Sequence, residues 1–219
     1  MATLNRSRIA LILLIYIAFV ALGLPDGLMG VAWPSLRASF GRPIHSLGLL
    51  LAASTAGYLT SAFASGRLIA RLGVGRTLAA SCAATGAGLL GYTVAPAWWM
   101  MIPLAMLAGL GAGAIDAGLN TYVAAHFGEG LMQWLHASYG IGVTLGPIIM
   151  TVAINAFGSW RVGYATVGAA QGALAAGFLL TLFIWRRQDD PPEVERAPRL
   201  TDYRTSLPET LRQGAVWLS

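Results

Sequence analysis

The chain has 219 residues, of which 56% are hydrophobic and 11% are charged. Soluble domains carry about 25% charged residues, so this composition excludes an ordinary soluble domain and indicates a multi-pass membrane protein. The 14 basic residues are all arginines that separate apolar segments, so the net charge of +5 does not predict a nucleic-acid partner.

Six apolar segments are long enough to cross a bilayer as helices, which takes about 20 residues. The stretch between Arg76 and Asp116 has no formal charge, and Pro96 followed by Trp98 and Trp99 divides it into a third and a fourth span. Residues 1–187 are therefore predicted to form an all-α bundle of six transmembrane helices. The predicted spans are residues 9–33, 46–69, 77–95, 98–125, 131–157 and 160–185.

The arginines predict the orientation of these spans. Seven lie on one side of a six-span topology and three on the other. The positive-inside rule then places both ends of the segment in the cytoplasm, and we expect the location to be a bacterial inner membrane. The seven are Arg6, Arg8, Arg67, Arg71, Arg76, Arg186 and Arg187, and the three are Arg37, Arg42 and Arg161.

The residues after the sixth span are polar and proline-rich, which predicts a cytosolic linker over residues 188–212. Residues 213–219 start another apolar run that is too short to cross a membrane. We interpret this run as the beginning of a seventh helix. The alternatives are a soluble tail with an apolar end and a complete six-helix protein that acts as a dimer.

Two aspartates lie inside predicted spans, Asp26 in the first and Asp116 in the fourth. Inserting an aspartate at the membrane centre costs about 2.5–3.5 kcal/mol, so such a residue usually faces other helices or a water-filled cavity. The two carboxylates therefore predict a polar pathway for transport. We expect Asp116 to bind and release a coupling proton, and Asp26, nearer the outer surface, to act in coupling, substrate binding or gating.

Short matches between the two halves of the bundle predict an internal repeat. Asp26-Gly-Leu28 in the first span matches Asp116-Ala-Gly-Leu119 in the fourth, and Leu51-Ala-Ala-Ser54 in the second matches Leu135-His-Ala-Ser138 in the fifth. Three helices followed by three similar helices of opposite direction form a 3+3 inverted repeat. Such repeats place the binding site at their interface, near the membrane midplane.

Polar and small residues recur at helical spacing on the fourth and fifth spans. Lipid would penalise a polar stripe, so we expect both stripes to face protein or water. Small-residue stripes are also ordinary packing seams, and His136 alone is compatible with a structural role. The fourth span carries Gly109, Gly113, Asp116, Ala117 and Asn120, and the fifth carries His136, Gly140, Thr144, Pro147, Thr151 and Asn155.

The connection between spans two and three, Gly66-Arg-Leu-Ile-Ala-Arg-Leu-Gly-Val-Gly-Arg76, resembles the signature loop of the major facilitator superfamily. The matching positions are Gly66, Leu68, Arg71 and Gly73, whereas Ala70 and Val74 replace an acidic and a basic residue of the family pattern. The resemblance implies a cytosolic gating loop. The residues assigned to it are Gly66, Arg67, Arg71, Gly73 and Arg76.

Residues 111–120 and 134–147 are similar to the fourth and fifth helices of the fucose-permease-like branch of that superfamily, which contains proton-coupled sugar symporters. This resemblance implies that the chain is the amino-terminal half of a twelve-helix secondary transporter. It also implies that the acidic residues of the first and fourth helices, here Asp26 and Asp116, serve coupling and substrate binding. The expected function is proton-coupled, alternating-access transport of a small polar solute such as a sugar.

The expected partners are the substrate, protons, the lipid bilayer and a carboxy-terminal six-helix half. We assign the predicted substrate contacts to Asn120, His136 and Tyr139, with Trp33 or Tyr58 as an aromatic wall for a sugar ring. No cofactor, metal site or catalytic residue is predicted.

Two other functional classes are considered. An exporter of drugs or metabolites would share the fold, and residues 142–147 slightly resemble the glycine-proline motif of antiporters. An intramembrane serine protease needs a serine and a histidine from different helices, but His136 and Ser138 lie two residues apart on different faces of one helix. We therefore expect no enzyme.

Overall fold

The computed structural model describes residues 6–127 and 129–189, and all regular structure in these ranges is helical. Six of the described helices are long and apolar enough to cross a membrane, which confirms the predicted all-α fold of six spans. The helices are α1 (Arg6–Ser39), α2 (Leu47–Leu72), α3 (Val74–Val94), α4 (Trp98–His126), α5 (Glu129–Phe157), α6 (Trp160–Leu180) and the short α7 (Leu182–Asp189), with one 3₁₀ turn (Ile44–Ser46) before α2.

Three of the main helix contacts exchange under the predicted repeat. The most extensive packing is between α2 and α4, between α1 and α5, between α3 and α6, and between α3 and α4. Exchanging the first three helices with the last three converts the α1–α5 pair into the α4–α2 pair and leaves the α3–α6 pair in place. These three pairs agree with the 3+3 inverted repeat that the sequence predicts, whereas α3 packs on α4 much more extensively than α6 packs on α1.

Glycines at the two equivalent crossings define the register of the repeat. A Cβ atom added at Gly23 of α1 would overlap the backbone of Tyr139 in α5, and one added at Gly113 of α4 would overlap the backbone of Tyr58 in α2. Tyr58 is therefore the counterpart of Tyr139. The sequence match that paired Ser54 with Ser138 is displaced from this register by about one helical turn.

Two helix ends differ most from the predicted spans. Helix α1 continues through Pro34 to Ser39, because a proline removes only one backbone hydrogen bond and Leu36 beyond it is fully buried in the core. The sixth helix ends at Leu180. There the Thr181 hydroxyl donates to the Gly177 carbonyl at 2.8 Å, and α7 then packs against α3 and α6.

The segment predicted as a gating loop is largely helical, which corrects the expectation. Residues 66–72 continue α2, Gly73 alone forms the connection, and Val74 already begins α3. Gly73 has a φ of +79°, a backbone conformation that favours glycine, so this residue permits the abrupt change of direction. From residue 190 onward, the predicted linker and seventh helix lie outside the described residues.

Candidate functional site

A cavity of about 460 Å³ opens between the helices, and six of the seven residues predicted for coupling or substrate binding line it. Helices α1 and α4 contribute the two aspartates, α2 and α5 contribute tyrosines, and α3 contributes Thr85. The lining residues are Phe19, Leu22, Pro25, Asp26, Ser54, Tyr58, Thr85, Ala108, Ala112, Asp116, Asn120, His136 and Tyr139.

Asp116 is half-buried and accepts two hydrogen bonds at the centre of this cavity. The Tyr58 hydroxyl of α2 donates to its Oδ2, and the Asn120 side-chain amide, one turn further along α4, donates to its Oδ1 at 3.0 Å. Each carboxylate oxygen of Asp116 therefore has a side-chain donor. The spacing of Asp116 and Asn120 predicted their shared face, but nothing in the sequence identified Tyr58 as a partner.

Asp26 has a matching partner on the other side of the cavity. The Tyr139 hydroxyl of α5 donates to its Oδ2 at 2.5 Å. Asp26 is more exposed than Asp116 and follows Pro25. The aspartate of α1 and that of α4 therefore each accept a hydrogen bond from a tyrosine of the helix that crosses theirs.

The cavity places two carboxylates together without a matching permanent cation. Among the described lining residues, none is an arginine, and His136 is the one basic side chain. A carboxylate in a membrane interior usually pairs with a cation, a proton or a hydrogen-bond donor. The tyrosine hydroxyls supply the donors here, and the cavity leaves space for a mobile positive charge.

The remaining predicted substrate contacts divide into two groups. His136 lines the cavity with its ring edge-on to Phe19, at 6.2 Å between centroids, and the Asn120 Oδ1 has no hydrogen-bond partner among the described residues. Trp33, by contrast, lies outside this cavity. It is 5% exposed and packs against Trp98 at 6.0 Å, because it lies about two turns beyond Asp26 on the continuous helix α1.

The residues assigned to gating lie away from the cavity lining. Arg67, Arg71 and Arg76 are exposed near the junction of α2 and α3, and Gly66 faces open space. Their exposure agrees with a surface role, and none of them contributes to the cavity.

Several lining residues were missed by the sequence reasoning. Phe19 and Leu22 precede Asp26 by two turns and one turn of α1, and Ala108 and Ala112 precede Asp116 in the same way on α4. Helical spacing from each aspartate would have found these four residues. No such signal exists for Thr85, because it comes from a different helix.

A second cavity of about 250 Å³ adjoins the first and shares Asp26 and Ser54 with it. Its other walls are mainly apolar or aromatic. They include Met29, Leu50, Leu89, Tyr92 and Tyr164. The carboxylate of Asp26 thus lies between a polar compartment and an apolar one.

The polar stripe of α5 begins at the cavity and continues along the outer surface of the described bundle. His136, Gly140, Thr144, Thr151 and Asn155 are all exposed. The described residues therefore do not provide the neighbour that a polar membrane-spanning stripe requires.

Comparison with known proteins agrees with this architecture. The Major Facilitator Superfamily pattern matches residues 15–219. The chain belongs to the Major Facilitator Superfamily. It is accordingly an integral multi-pass membrane protein from a family of transporters, and the superfamily predicted from residues 66–76 is confirmed.

Three individual proteins that are similar to this superfamily member share 26% to 33% of the aligned residues with it. The chain is 28% identical over 141 residues to sodium-dependent glucose transporter 1A of Mus musculus, covering 63% of the chain and 33% of the relative. It is 26% identical over 141 residues to sodium-dependent glucose transporter 1 of Homo sapiens, covering 63% and 27%. It is 33% identical over 129 residues to the class G tetracycline resistance protein of Vibrio anguillarum, covering 57% and 33%. The aligned part thus spans about a third of each relative's length.

Proposed function

We propose that this chain belongs to a secondary active transporter that moves a small polar solute, a sugar, by proton-coupled alternating access. The observation that carries the proposal is the pair of aspartate–tyrosine contacts at equivalent crossings of the inverted repeat, both facing one cavity. Inverted repeats place substrate and ion sites between their copies. The contacts thus stand where coupling between ion binding and helix movement is expected.

Protonation would change what each carboxyl group does at its crossing. An ionised carboxylate only accepts hydrogen bonds, whereas a protonated one also carries a donor. A protonated Asp116 therefore accepts a weaker hydrogen bond from the Tyr58 hydroxyl, and the contact between α4 and α2 becomes weaker. The same argument applies to Asp26 and Tyr139 between α1 and α5, so both crossings respond to proton binding.

The cavity offers a sugar both hydrogen bonds and an apolar surface. A volume of about 460 Å³ lies within the usual range of about 300–1,000 Å³ for small-molecule sites. His136 can donate or accept a hydrogen bond, and half-buried Tyr58 lines the cavity as one of the two aromatic residues expected to contact a sugar ring. The two glucose-transporter relatives support the choice of a sugar.

The exposed polar stripe of α5 supports a second six-helix half as the partner. Lipid would penalise Thr144, Thr151 and Asn155 in the membrane, so a protein surface or a water-filled cavity must cover them. The curated relatives are about three times as long as the part that this chain matches. The proposed topology follows from the arginine distribution. Both ends of the segment lie in the cytoplasm, and the membrane is a bacterial inner membrane.

Export is the second candidate, because one relative, at 33% identity, is a tetracycline resistance protein. A proton-coupled exporter would use the same carboxylates with the opposite relation between proton and substrate movement. Imposing a proton gradient on proteoliposomes and measuring whether solute moves with the protons or against them separates these two functions.

Uptake of radiolabelled D-glucose by the full-length protein in proteoliposomes tests the proposal. An inward proton gradient should drive accumulation, and an inward sodium gradient should not. Asp116→Asn should abolish accumulation while retaining exchange of internal for external glucose, because exchange needs no release of the coupling proton. The matched control is Thr121→Val, since this exposed hydroxyl donates only to the Ala117 carbonyl of its own helix.

Each part of the proposal has its own contrary outcome. Accumulation driven by sodium alone would assign the coupling to sodium, the ion in the names of two relatives. Absence of glucose transport by the folded protein would contradict the sugar assignment. Normal proton-driven accumulation by Asp116→Asn would remove Asp116 from the coupling mechanism.

A further inference from the structure

Gln171 in α6 is an unusual residue in the core of the bundle. Its side chain is 0% exposed, and the other buried polar side chains of the described residues are serines and threonines. Most of those hydroxyls bond a carbonyl of their own helix, as Ser81 does with Thr77 at 2.7 Å. Gln171 instead reaches a different helix, because its Nε2 donates to the Ala21 carbonyl of α1 at 2.8 Å.

The Ala21 carbonyl is the one that Pro25 leaves without a donor. In an α-helix the carbonyl of each residue accepts from the N–H four residues later, and the residue four positions after Ala21 is Pro25, which has no N–H. An unsatisfied backbone carbonyl is costly in the core of a membrane bundle. The amide of Gln171 replaces the missing donor.

This replacement bond lies beside the proposed coupling site. Pro25 and Asp26 line both cavities, and Ala21 lies one turn before them on α1. The course of α1 through this interrupted turn determines where the Asp26 carboxylate stands relative to Tyr139. A bond at the interrupted carbonyl is therefore placed to control the position of Asp26.

The packing of α6 against α3 holds the backbone end of the Gln171 side chain in place. A Cβ atom added at Gly86 of α3 would lie 3.0 Å from the Gly168 carbonyl and 3.2 Å from the Gln171 Cβ, so the two helices are in close contact. The Gln171 Oε1 has no hydrogen-bond partner among the described residues, which leaves the Nε2 bond as the amide's single anchor there.

We propose that Gln171 is a positioning residue that holds the proline-interrupted turn of α1 and thereby sets the place of Asp26. The physical link between Gln171 and α1 is independent of the transported solute. Its consequence for coupling rests on the proposed function. The bond also joins the second half of the repeat to the first.

Hydrogen exchange of the full-length protein in nanodiscs tests the link without any substrate. Gln171→Leu should accelerate exchange of the amides of residues 18–30 by about tenfold and leave α3 unchanged, since a single local opening is affected. Adding Pro25→Ala should return the rate to within about twofold of the parent, because position 25 then supplies an N–H to the Ala21 carbonyl. Ser81→Ala, which removes another buried side-chain bond, should leave α1 unchanged.

Faster exchange in every helix, or no suppression by Pro25→Ala, would show that Gln171 is only a packing residue and would overturn the proposal. If Gln171→Leu alone does not fold, recovery of folded protein by the double variant supports the proposal. Failure of the double variant to fold as well contradicts it.

Thiol labelling at position 26 then tests whether the effect reaches the site. In an Asp26→Cys protein, Gln171→Leu should change the rate of modification by a small water-soluble thiol reagent by about fivefold or more, and Pro25→Ala should reverse the change. An unchanged rate of thiol modification would show that Gln171 does not control the position of Asp26, even if hydrogen exchange in α1 increases. Failure of glucose transport, in contrast, would affect only the proposed function.

Discussion

At the scale of single residues, the site consists of two carboxylates that differ in environment and share one kind of partner. Asp116 is half-buried and receives hydrogen bonds from Tyr58 and Asn120, whereas the more exposed Asp26 receives one from Tyr139. In the proposed proton symporter the carboxylates are ionised when the carrier returns empty, and the phenol hydroxyls then donate hydrogen bonds to them. The tyrosines are therefore expected to matter most in that return step.

Tyr58→Phe removes the donor to Asp116 and tests this expectation. Net proton-driven uptake should fall about tenfold or more, because a hydrogen bond to a charged group contributes about 1.5–3 kcal/mol. Glucose exchange should change little, since the loaded, protonated carrier does not need the bond. Thr60→Val is the control, because its hydroxyl is exposed and donates to the Ala56 carbonyl of its own helix. Equal loss of uptake and exchange would argue against a role in the return step.

At the scale of helices, the crossings depend on glycines that let backbones touch. Gly113 meets the Tyr58 backbone where α4 crosses α2, and Gly23 meets the Tyr139 backbone where α1 crosses α5. Membrane helices gain van der Waals contact at such small residues, since lipid supplies no hydrophobic force between them. The same close approach brings each tyrosine hydroxyl to its aspartate, so packing and site geometry are determined together.

Gly113→Ala should lower stability by about 1–3 kcal/mol, because the added methyl group overlaps the Tyr58 backbone. Gly48→Ala near the start of α2 has open space around the added atom and should be neutral or stabilising by up to about 1 kcal/mol. Thermal unfolding of the two purified variants measures the difference. Equal melting temperatures would show that the crossing tolerates a side chain.

At the scale of the whole molecule, the polar stripe of α5 is exposed at Gly140, Thr144, Thr151 and Asn155 in the described part of the chain. In the proposed twelve-helix protein this stripe faces the second half and the substrate pathway between the halves. Leu180 at the end of α6 is also strongly exposed, at 76%, but it is apolar and suits a lipid neighbour. The two kinds of exposed surface should therefore respond differently to a bulky substitution.

Thr144→Trp in the full-length protein should reduce transport at least tenfold or lower the melting temperature by several degrees, since overpacking costs about 1–3 kcal/mol. Leu180→Trp should have little effect, because tryptophan is favoured at the membrane interface. Transport and thermal unfolding of both variants provide the measurement. A harmless Thr144→Trp would indicate that the stripe faces a wide water-filled space and not a packed partner.

The sequence by itself determined the class of this protein, the number of its membrane helices and the positions of Asp26 and Asp116. These properties follow from local quantities, namely the length and polarity of each segment, and helical spacing also placed Asn120 on the face of Asp116. Only the tertiary structure decided that Tyr58 and Tyr139 are the partners of the aspartates, that Trp33 lies outside the cavity and that Gln171 completes the turn interrupted by Pro25. Each of these depends on which helices cross and in what register. The match of Asp26 with Asp116 agrees with that register, whereas the match of Ser54 with Ser138 is displaced from it by about one turn.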